Sequence, residues 1–273
     1  MKAYIYSGGS FYPLKGQKVF SGGQAVPIKG FDVVYGSGQQ YMIGATVVSS
    51  NSDHHVGYNS TEEYFVVNQN GHLYISRGTA NHIVVNGGYV TVQQFGVAKD
   101  VMLNAGGRLN FGGGNASNVV VNAGAYVSIG SGTLFSGTVN SGGTLRIIDG
   151  GAAQGIIENG GCIRTTTYGV VACVSNSFSG LVLNGGEYAT VHSGTTANSV
   201  TISGGTMTVF YGGVVNSATV YDGGLLTLED GGTINSVTVN SGGTLRVSAG
   251  EALHVTSETG AYVYNYGGTV TYN

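Results

Sequence analysis

The chain has 273 residues and a formal net charge of −3, and only 8% of its residues are charged. It has no basic tract, which argues against binding nucleic acid or an anionic membrane through charge. Fifty residues are glycine, yet 41% are hydrophobic, so the chain can bury a core and is not expected to be disordered. No apolar run approaches the roughly 20 residues of a membrane-spanning helix, and the first ten residues lack the apolar core of a secretion signal.

Residues 1–64 carry a loose pattern in which apolar pairs precede Ser7, Ser21, Tyr35 and Ser49, at intervals of fourteen. This pattern predicts short or irregular coils. A stack of strands needs a distinct end coil that blocks edge-to-edge pairing. We therefore expect residues 1–64 to form an irregular N-terminal cap and residues 65–273 to form regular repeats.

Within the predicted cap, Asp53, His54 and His55 precede Glu62 and Glu63 by a short segment. Carboxylate and imidazole side chains are compatible with a bound metal ion. A polar loop in an irregular coil is the alternative, and it is the one we favour. The sequence predicts no metal site and no cofactor.

Gly-Gly pairs or close variants recur from residue 71 to the end, at steps of 17 to 19 residues with one longer exception. Two apolar residues at i and i+2 follow most pairs and two more precede them, as in Val237/Val239 and Leu245/Val247. Spacing of i, i+2 is typical of a strand with one buried face. A third, weaker apolar position completes each repeat. A fixed period favours stacked coils over a meander or sandwich, so we predict an all-β, single-stranded parallel β-helix (a solenoid) with three short strands per coil of 18–19 residues.

Glycine marks the turns of this predicted solenoid. Sharp bends between strands often require a positive φ, which only glycine adopts without a steric cost. One step is 25 residues long, between Gly161 and Gly186. It predicts an insertion near residues 162–180, as either a loop or an extra partial coil, and it contains both Cys162 and Cys173. The two cysteines are close enough in sequence for a disulfide, with two free thiols as the alternative.

Outward-facing residues form columns along the predicted stack. One column begins with apolar residues, which are candidates for a self-association strip: Val66, Val84, Met102 and Val120. The alternative is that both faces of these strands are buried, under the N-terminal segment or the insertion. The other outward positions are polar and are candidates for a glycosylated or hydrogen-bonding face: Thr91, Ser128, Thr138, Thr201, Thr208, Thr219, Thr227 and Thr238.

Asparagine recurs near two of the turns. One series begins at Asn68 and Asn86, and the other includes Asn198, Asn216 and Asn235. Stacked amides can hydrogen-bond from coil to coil, so we predict structural ladders rather than ligand-binding sites.

The acidic residues do not form a catalytic cluster in the sequence. A β-helix hydrolase or lyase needs clustered carboxylates or carboxylate-bound calcium. The chain has 13 acidic residues spread over most coils, and the adjacent Glu229 and Asp230 are expected to face opposite ways on a strand. The sequence therefore predicts a protein that is not an enzyme.

Two segments resemble the passenger repeats of AIDA-type self-associating autotransporter adhesins. They are Val-Thr-Val-Asn-Ser-Gly-Gly-Thr-Leu-Arg-Val at 237–247 and Val-Phe-Tyr-Gly-Gly-Val-Val-Asn-Ser-Ala-Thr-Val-Tyr-Asp-Gly-Gly at 209–224. Gly-Gly-x-x-Asn-Ser at 212–217 and 231–236 adds to the likeness. The resemblance covers residues 65–273 well and residues 1–64 loosely.

This resemblance implies a right-handed β-helix displayed on a bacterial cell surface, anchored in the outer membrane through a translocator domain of a parent protein. It implies adhesion, autoaggregation and biofilm formation. The implied partners are copies on neighbouring cells, a host-surface protein or glycan, and a heptosyltransferase that modifies Ser and Thr. The alternative is a carbohydrate-binding or polysaccharide-degrading β-helix, similar to phage spikes or lyases, with a groove of aromatic and carboxylate side chains.

Overall fold

The structure, a computed structural model, describes residues 45–273 and, before them, the six strands at 4–7, 10–13, 18–21, 24–27, 32–34 and 40–42. These six pair as antiparallel hairpins: β1 (Tyr4–Ser7) with β2 (Ser10–Pro13), β3 (Lys18–Ser21) with β4 (Gln24–Pro27), and β5 (Asp32–Val34) with β6 (Gln40–Met42). The prediction of coils is wrong for these strands. Their short connections allow hairpins, whereas parallel pairing needs a long crossover.

From residue 46 onward the strands pair in parallel, each with its equivalent in the next coil, and the described chain contains no helix. The result is a β-solenoid of about 13 turns, which confirms the predicted fold class. One sheet of 13 strands forms the first stack. Its strands are β7 (Thr46–Val48), β8 (Asp53–Val56), β9 (Thr61–Asn68), β10 (His72–Ile75), β11 (Thr79–Asn86), β12 (Tyr89–Gln93), β13 (Val97–Leu103), β14 (Arg108–Val121), β15 (Tyr126–Asn140), β16 (Thr144–Ile147), β17 (Gly151–Asn159), β18 (Cys162–Thr165) and β19 (Val170–Cys173).

The remaining strands form the second stack, with one sheet of ten strands and one of five. They are β20 (Asn176–Ser179), β21 (Val182–Leu183), β22 (Tyr188–Val191), β23 (Thr195–Asn198), β24 (Val200–Ile202), β25 (Thr206–Val209), β26 (Val214–Val215), β27 (Ala218–Val220), β28 (Leu225–Leu228), β29 (Thr233–Ile234), β30 (Val237–Val239), β31 (Thr244–Val247), β32 (Glu251–Ser257), β33 (Tyr262–Asn265) and β34 (Thr269–Tyr272).

Three short strands make up a coil, as β23, β24 and β25 show, and this matches the sequence prediction. Two of the corners carry the predicted glycines. The third corner lies inside longer strands of the first stack, where residues other than glycine take a left-handed conformation: φ is 57° at His82, 54° at Asp100 and 55° at Asn118. Asp and Asn tolerate this conformation better than most residues because their short polar side chains can hydrogen-bond locally.

The insertion is a partial coil on each side of a junction, not a loop. Strand β19 pairs in parallel with β17 at the end of the first stack. Strand β20 pairs in parallel with β23 at the start of the second stack. The surplus residues between Gly161 and Gly186 thus close one stack and open the next.

The apolar interior is divided at this junction. One cluster of buried side chains extends from Val48 to Ile163, and a second extends from Leu181 to Val255. The apolar interior is therefore not continuous along the rod. The described chain buries three polar side chains: Glu158 in the first stack, and Thr190 and Thr195 in the first strands of the second.

Candidate functional site

The proposed apolar column is in register, but half of it is buried. Val66 pairs with Val84, Val84 with Met102, and Met102 with Val120. Val66 and Val84 are 0% and 2% exposed, so they do not belong to an exposed strip. Met102 and Val120 are partly exposed, and the column continues through Thr138 to Ile157, which is 40% exposed.

The polar candidates form in-register columns on two faces. Thr201 pairs with Thr219 and Thr219 with Thr238 on one face. Thr208 pairs with Thr227 on the next. All eight candidates are partly exposed, including Thr91, Ser128 and Thr138 in the first stack. The hydroxyl groups of Thr201, Thr219 and Thr238 are therefore repeated at the spacing of the coils, whereas Asn110 lies between Thr91 and Ser128 in the first stack.

Asparagine ladders follow two corners, as predicted. The side-chain amide of Asn104 donates to Asn86 at 2.8 Å, that of Asn122 to Asn104 at 3.1 Å, and that of Asn140 to Asn122 at 3.0 Å. Asn159 extends this ladder, and Asn198, Asn216 and Asn235 form a second one with bonds of 2.7 Å. These amides use their hydrogen-bonding capacity along the rod, which supports a structural role.

The two cysteines are free thiols. Cys162 is buried in β18 and accepts a hydrogen bond from Arg164 Nε at 3.3 Å. Cys173 ends β19, where it pairs with Ile156 of β17. Of the two alternatives that the sequence left open, this structure has the unpaired thiols.

His54 and His55 are on strand β8 rather than in the expected loop. His54 Nε2 lies 2.7 Å from Glu62 Oε2. The ring of His55 stacks on Tyr74 at a centroid distance of 4.8 Å. The two imidazoles thus have different partners, and neither belongs to a group of three possible metal ligands within the described residues.

The most unusual side chain in the described chain is Glu158, in β17. It pairs with Val139 of the preceding coil, which pairs in turn with Val121, so Glu158 occupies an inward column of apolar residues. Its side chain is 0% exposed. Its carboxylate accepts hydrogen bonds from Thr190 Oγ1 at 2.5 Å and from the backbone N–H of His192 at 2.7 Å. The Nδ1 atom of His192 lies 2.9 Å from Glu158 Oε1. A buried carboxylate is thus held by residues of the second stack.

Cys173 completes this junction cluster, which we define as Glu158, Cys173 and His192. One possible ligand atom from each lies within 4.8 Å of the others. Burial, and to a lesser extent the nearby Glu158 carboxylate, raise the pKa of the Cys173 thiol to about 12. His192 is oriented by stacking on Phe210 at 4.6 Å.

A cleft of 660 Å³ opens beside the cluster. Cys173 and His192 line it, together with the aromatic side chains of Phe210 and Tyr211 and the acidic residues Glu229 and Asp230. The sequence predicted that Glu229 and Asp230 face opposite ways, but both border this cleft because they lie just after β28, at a turn. Chemically, the arrangement offers carboxylate, thiol and imidazole groups next to an acidic opening.

Sequence reasoning did not single out Glu158, Thr190 or His192. A signal for Glu158 was present, because aligning Ile157-Glu158-Asn159 with Thr138-Val139-Asn140 puts a carboxylate at an apolar position. The 25-residue step between Gly161 and Gly186 also indicated the region of the chain in which the junction lies. Nothing in the repeat places Thr190 and His192 opposite Glu158, because the junction breaks the regular register.

No protein-family model matches the sequence, and no curated protein matches it. Among solved structures, the chain is similar to a crystal structure of a TibC-catalysed hyper-glycosylated TibA fragment, with 26% identity over 84% of this chain and 85% of that one. The TM-score is 0.48, and the function proposed below does not rest on this likeness. In the part of the chain that the structure describes, no helix has the length and hydropathy needed to cross a membrane.

Proposed function

We propose that this protein is the passenger region of a surface-displayed adhesin that acts by association and not by catalysis. The observation that carries this proposal is the pair of in-register hydroxyl columns on a rod, with Thr201, Thr219 and Thr238 as one example. Three successive coils that present the same outward group suit multivalent contact, since many weak contacts add up. The repeats at 209–224 and 237–247, which resemble those of AIDA-type adhesins, support the same function.

The hydroxyl columns are also the proposed sites of O-glycosylation. Their side chains are partly exposed on folded strands, so a heptosyltransferase could reach them without unfolding the chain. The proposed columns are Thr91 and Ser128 in the first stack, and Thr201, Thr208, Thr219, Thr227 and Thr238 in the second, with Thr138 in the column of Val120.

The apolar column contributes to self-association in this proposal only through its exposed members. Met102 and Val120 are partly exposed and Ile157 more so, whereas Val66 and Val84 are buried. Met102→Asp should lower aggregation of cells that display the protein, because a charge there opposes apolar contact. Gln154→Glu, which adds a charge at an exposed position outside the apolar column and the hydroxyl columns, is the matched control and should leave aggregation unchanged.

The direct test is display of the chain on the surface of a non-aggregating bacterium, with and without a co-expressed heptosyltransferase. Settling of the culture and biofilm mass are the readouts, and mass spectrometry of the released chain reports modification. We expect aggregation, and an added mass on the Ser and Thr columns when the transferase is present. No aggregation in either strain, with the folded chain on the surface, would refute the proposed function.

Two matched variants distinguish the effect of the hydroxyl groups from an effect on folding. Changing Thr201, Thr219 and Thr238 together to Val keeps β-branched side chains that favour strands and removes the hydroxyls. The same three residues changed to Ser keep the hydroxyls. We expect the Val variant to lose only the added mass carried by these three positions, and the Ser variant to retain it.

The cleft favours a second candidate, a carbohydrate-binding or polysaccharide-degrading β-helix. It combines Phe210 and Tyr211 with Glu229 and Asp230, and aromatic and carboxylate groups are the side chains that glycan sites use. Incubation of the purified chain with bacterial and host polysaccharides distinguishes the two candidates. Release of reducing ends, abolished by changing Glu229 and Asp230 to their amides, would favour the enzyme.

A further inference from the structure

Glu158 is a carboxylate at an interior position of the rod where the repeat otherwise has apolar residues. Every other inward position of its column in the first stack carries an apolar residue, as at Val121 and Val139. Burying a carboxylate without a countercharge is costly, so buried charges in proteins are paired or coordinate metal ions. The described contacts of Glu158 are hydrogen bonds from Thr190 and His192, and within the described residues no lysine or arginine pairs with it.

The atoms around this carboxylate form a ligand set. Glu158 Oε1 and His192 Nδ1 are 2.9 Å apart, a separation at which an oxygen and a nitrogen share a proton or a cation. Cys173 adds a thiol within 4.8 Å of both groups. Zinc takes thiolate, imidazole and carboxylate ligands at about 2.0–2.3 Å, so its ligand atoms lie a few ångströms apart.

We propose that Glu158, Cys173 and His192 bind a divalent transition-metal ion of the zinc class. Three protein ligands leave a fourth position of a tetrahedral ion open, and it would face the cleft that Cys173 and His192 line. Glu229 and Asp230 on the same cleft attract cations towards it. Binding displaces the protons of the thiol and of the imidazole–carboxylate contact to solvent, because the metal needs the thiolate and a free ring nitrogen.

This site would join the two stacks. Glu158 and Cys173 belong to β17 and β19 of the first stack, and His192 directly follows β22 of the second. The apolar clusters of the two stacks are separate at this level. A bound ion stabilises only the folded arrangement in which both stacks meet, so it couples them.

Cobalt substitution provides a test that identifies the sulfur ligand. The tag-free chain, stripped with chelator and kept reduced, is titrated with Co²⁺ and followed by absorption. We expect one equivalent to bind, with ligand-field bands typical of a tetrahedral ion and a sulfur-to-cobalt charge-transfer band. Zn²⁺ should abolish both by competition and should raise the unfolding midpoint.

The two free cysteines provide a matched pair of variants. Cys173→Ser should lose the charge-transfer band and weaken zinc binding by more than the roughly 10–100-fold typical of outer-shell changes. Cys162→Ser, in a buried position outside the cluster, should keep the band. His192→Gln and Glu158→Gln should weaken binding and keep the β-sheet circular dichroism spectrum.

Three outcomes would overturn the proposal. One is no cobalt binding by the folded, reduced chain. Another is binding without a sulfur band, which would place the ion at oxygen and nitrogen ligands such as His54 and Glu62. The last is a band that survives in Cys173→Ser and disappears in Cys162→Ser. None of these results depends on adhesion, so a failure of the metal site would leave the proposed adhesin function untouched.

Discussion

The two glycines of the turn at Gly223 and Gly224 are required for different reasons. At Gly223 the backbone has a φ of +70°, the left-handed conformation that glycine adopts most easily. Gly224 has no such φ, but a Cβ there would lie 2.5 Å from the carbonyl oxygen of Ile202 in the previous coil. The sequence suggested only the conformational reason, because the close approach of neighbouring coils is a property of the stack.

Gly224→Ala should therefore lower the free energy of unfolding by about 1–3 kcal/mol, the usual cost of overpacking against atoms that cannot move freely. The control is Gly185→Ala, where an added Cβ has no atom within 4 Å and φ is not left-handed. We expect that control to be neutral or slightly stabilising. Urea denaturation of both variants measures the difference, and equal losses would contradict this explanation of the second glycine.

Burial also affects the ionisation of Cys162. Desolvation raises the pKa of this thiol above its usual value of 9.0, and the Arg164 hydrogen bond only partly opposes it. The folded chain therefore holds the proton to a higher pH than the unfolded chain does. The stability that this provides is present below pH 9 and is lost as the pH rises through the folded-state pKa.

Comparing wild type with Cys162→Ala by urea denaturation at several pH values tests this shift, because Cys173 is common to both proteins. We expect the stability difference between them to be constant below pH 9 and to narrow above it. A difference that stays constant, or widens, across the alkaline range would show that burial does not raise this pKa.

At the scale of the structural element, the asparagine ladders hydrogen-bond equivalent positions of successive coils. They help to fix the register of the coils, which apolar packing alone specifies less well. Asn122 lies in the middle of its ladder, with bonds to Asn104 and Asn140. Asn159 is bonded to Asn140 as the last amide of that ladder. Each such bond contributes about 0.5–1.5 kcal/mol net.

Asn122→Ala should thus cost roughly 1–3 kcal/mol, since it removes two such bonds, and Asn159→Ala about half of that. Equilibrium unfolding in urea gives both values. If the middle and end positions cost the same, the ladder would not be acting as a chain of separate bonds.

The regular strands could be predicted from the sequence because each inward position repeats every coil, as in Leu226/Leu228 and Leu245/Val247, and these pairs stack in register. The antiparallel pairing of strands β1 to β6 could not, since the apolar pairs at intervals of fourteen fit short coils and hairpins equally well. The position of the junction between the two stacks could be predicted from the 25-residue step, but its contacts could not. Its geometry depends on where β22 lies over β18, with the N–H of Thr190 donating to Gly161 O at 3.0 Å.

At the scale of the whole molecule, the rod has two apolar cores joined by a polar level. In a solenoid, each coil is stabilised mainly by its neighbours, so a break in the apolar stack weakens the coupling between the two sides. We expect Leu109→Ala, in the first core, to speed hydrogen exchange mainly in the first stack. Leu226→Ala, in the second core, should act mainly on the second.

Amide exchange followed by mass spectrometry checks this expectation, with the boundary anticipated between the end of β18 and the start of β21. Large-to-small changes of this kind lower the free energy of unfolding by about 2–5 kcal/mol. A loss of this size is enough to produce a measurable difference in exchange rate between the two stacks. Uniform acceleration across both stacks in either variant would mean that the rod unfolds as one cooperative unit.

Everything at this scale depends on parallel coils that lie in register, and paired spin labels test that arrangement most directly. In a background without Cys162 and Cys173, Thr201→Cys is labelled together with either Thr219→Cys, its partner one coil away, or Thr238→Cys, two coils away. Strand neighbours lie about 4.8 Å apart, so we predict strong spin–spin broadening for the first pair and clearly weaker broadening for the second. No broadening between positions 201 and 219, or stronger broadening between 201 and 238, would contradict the solenoid.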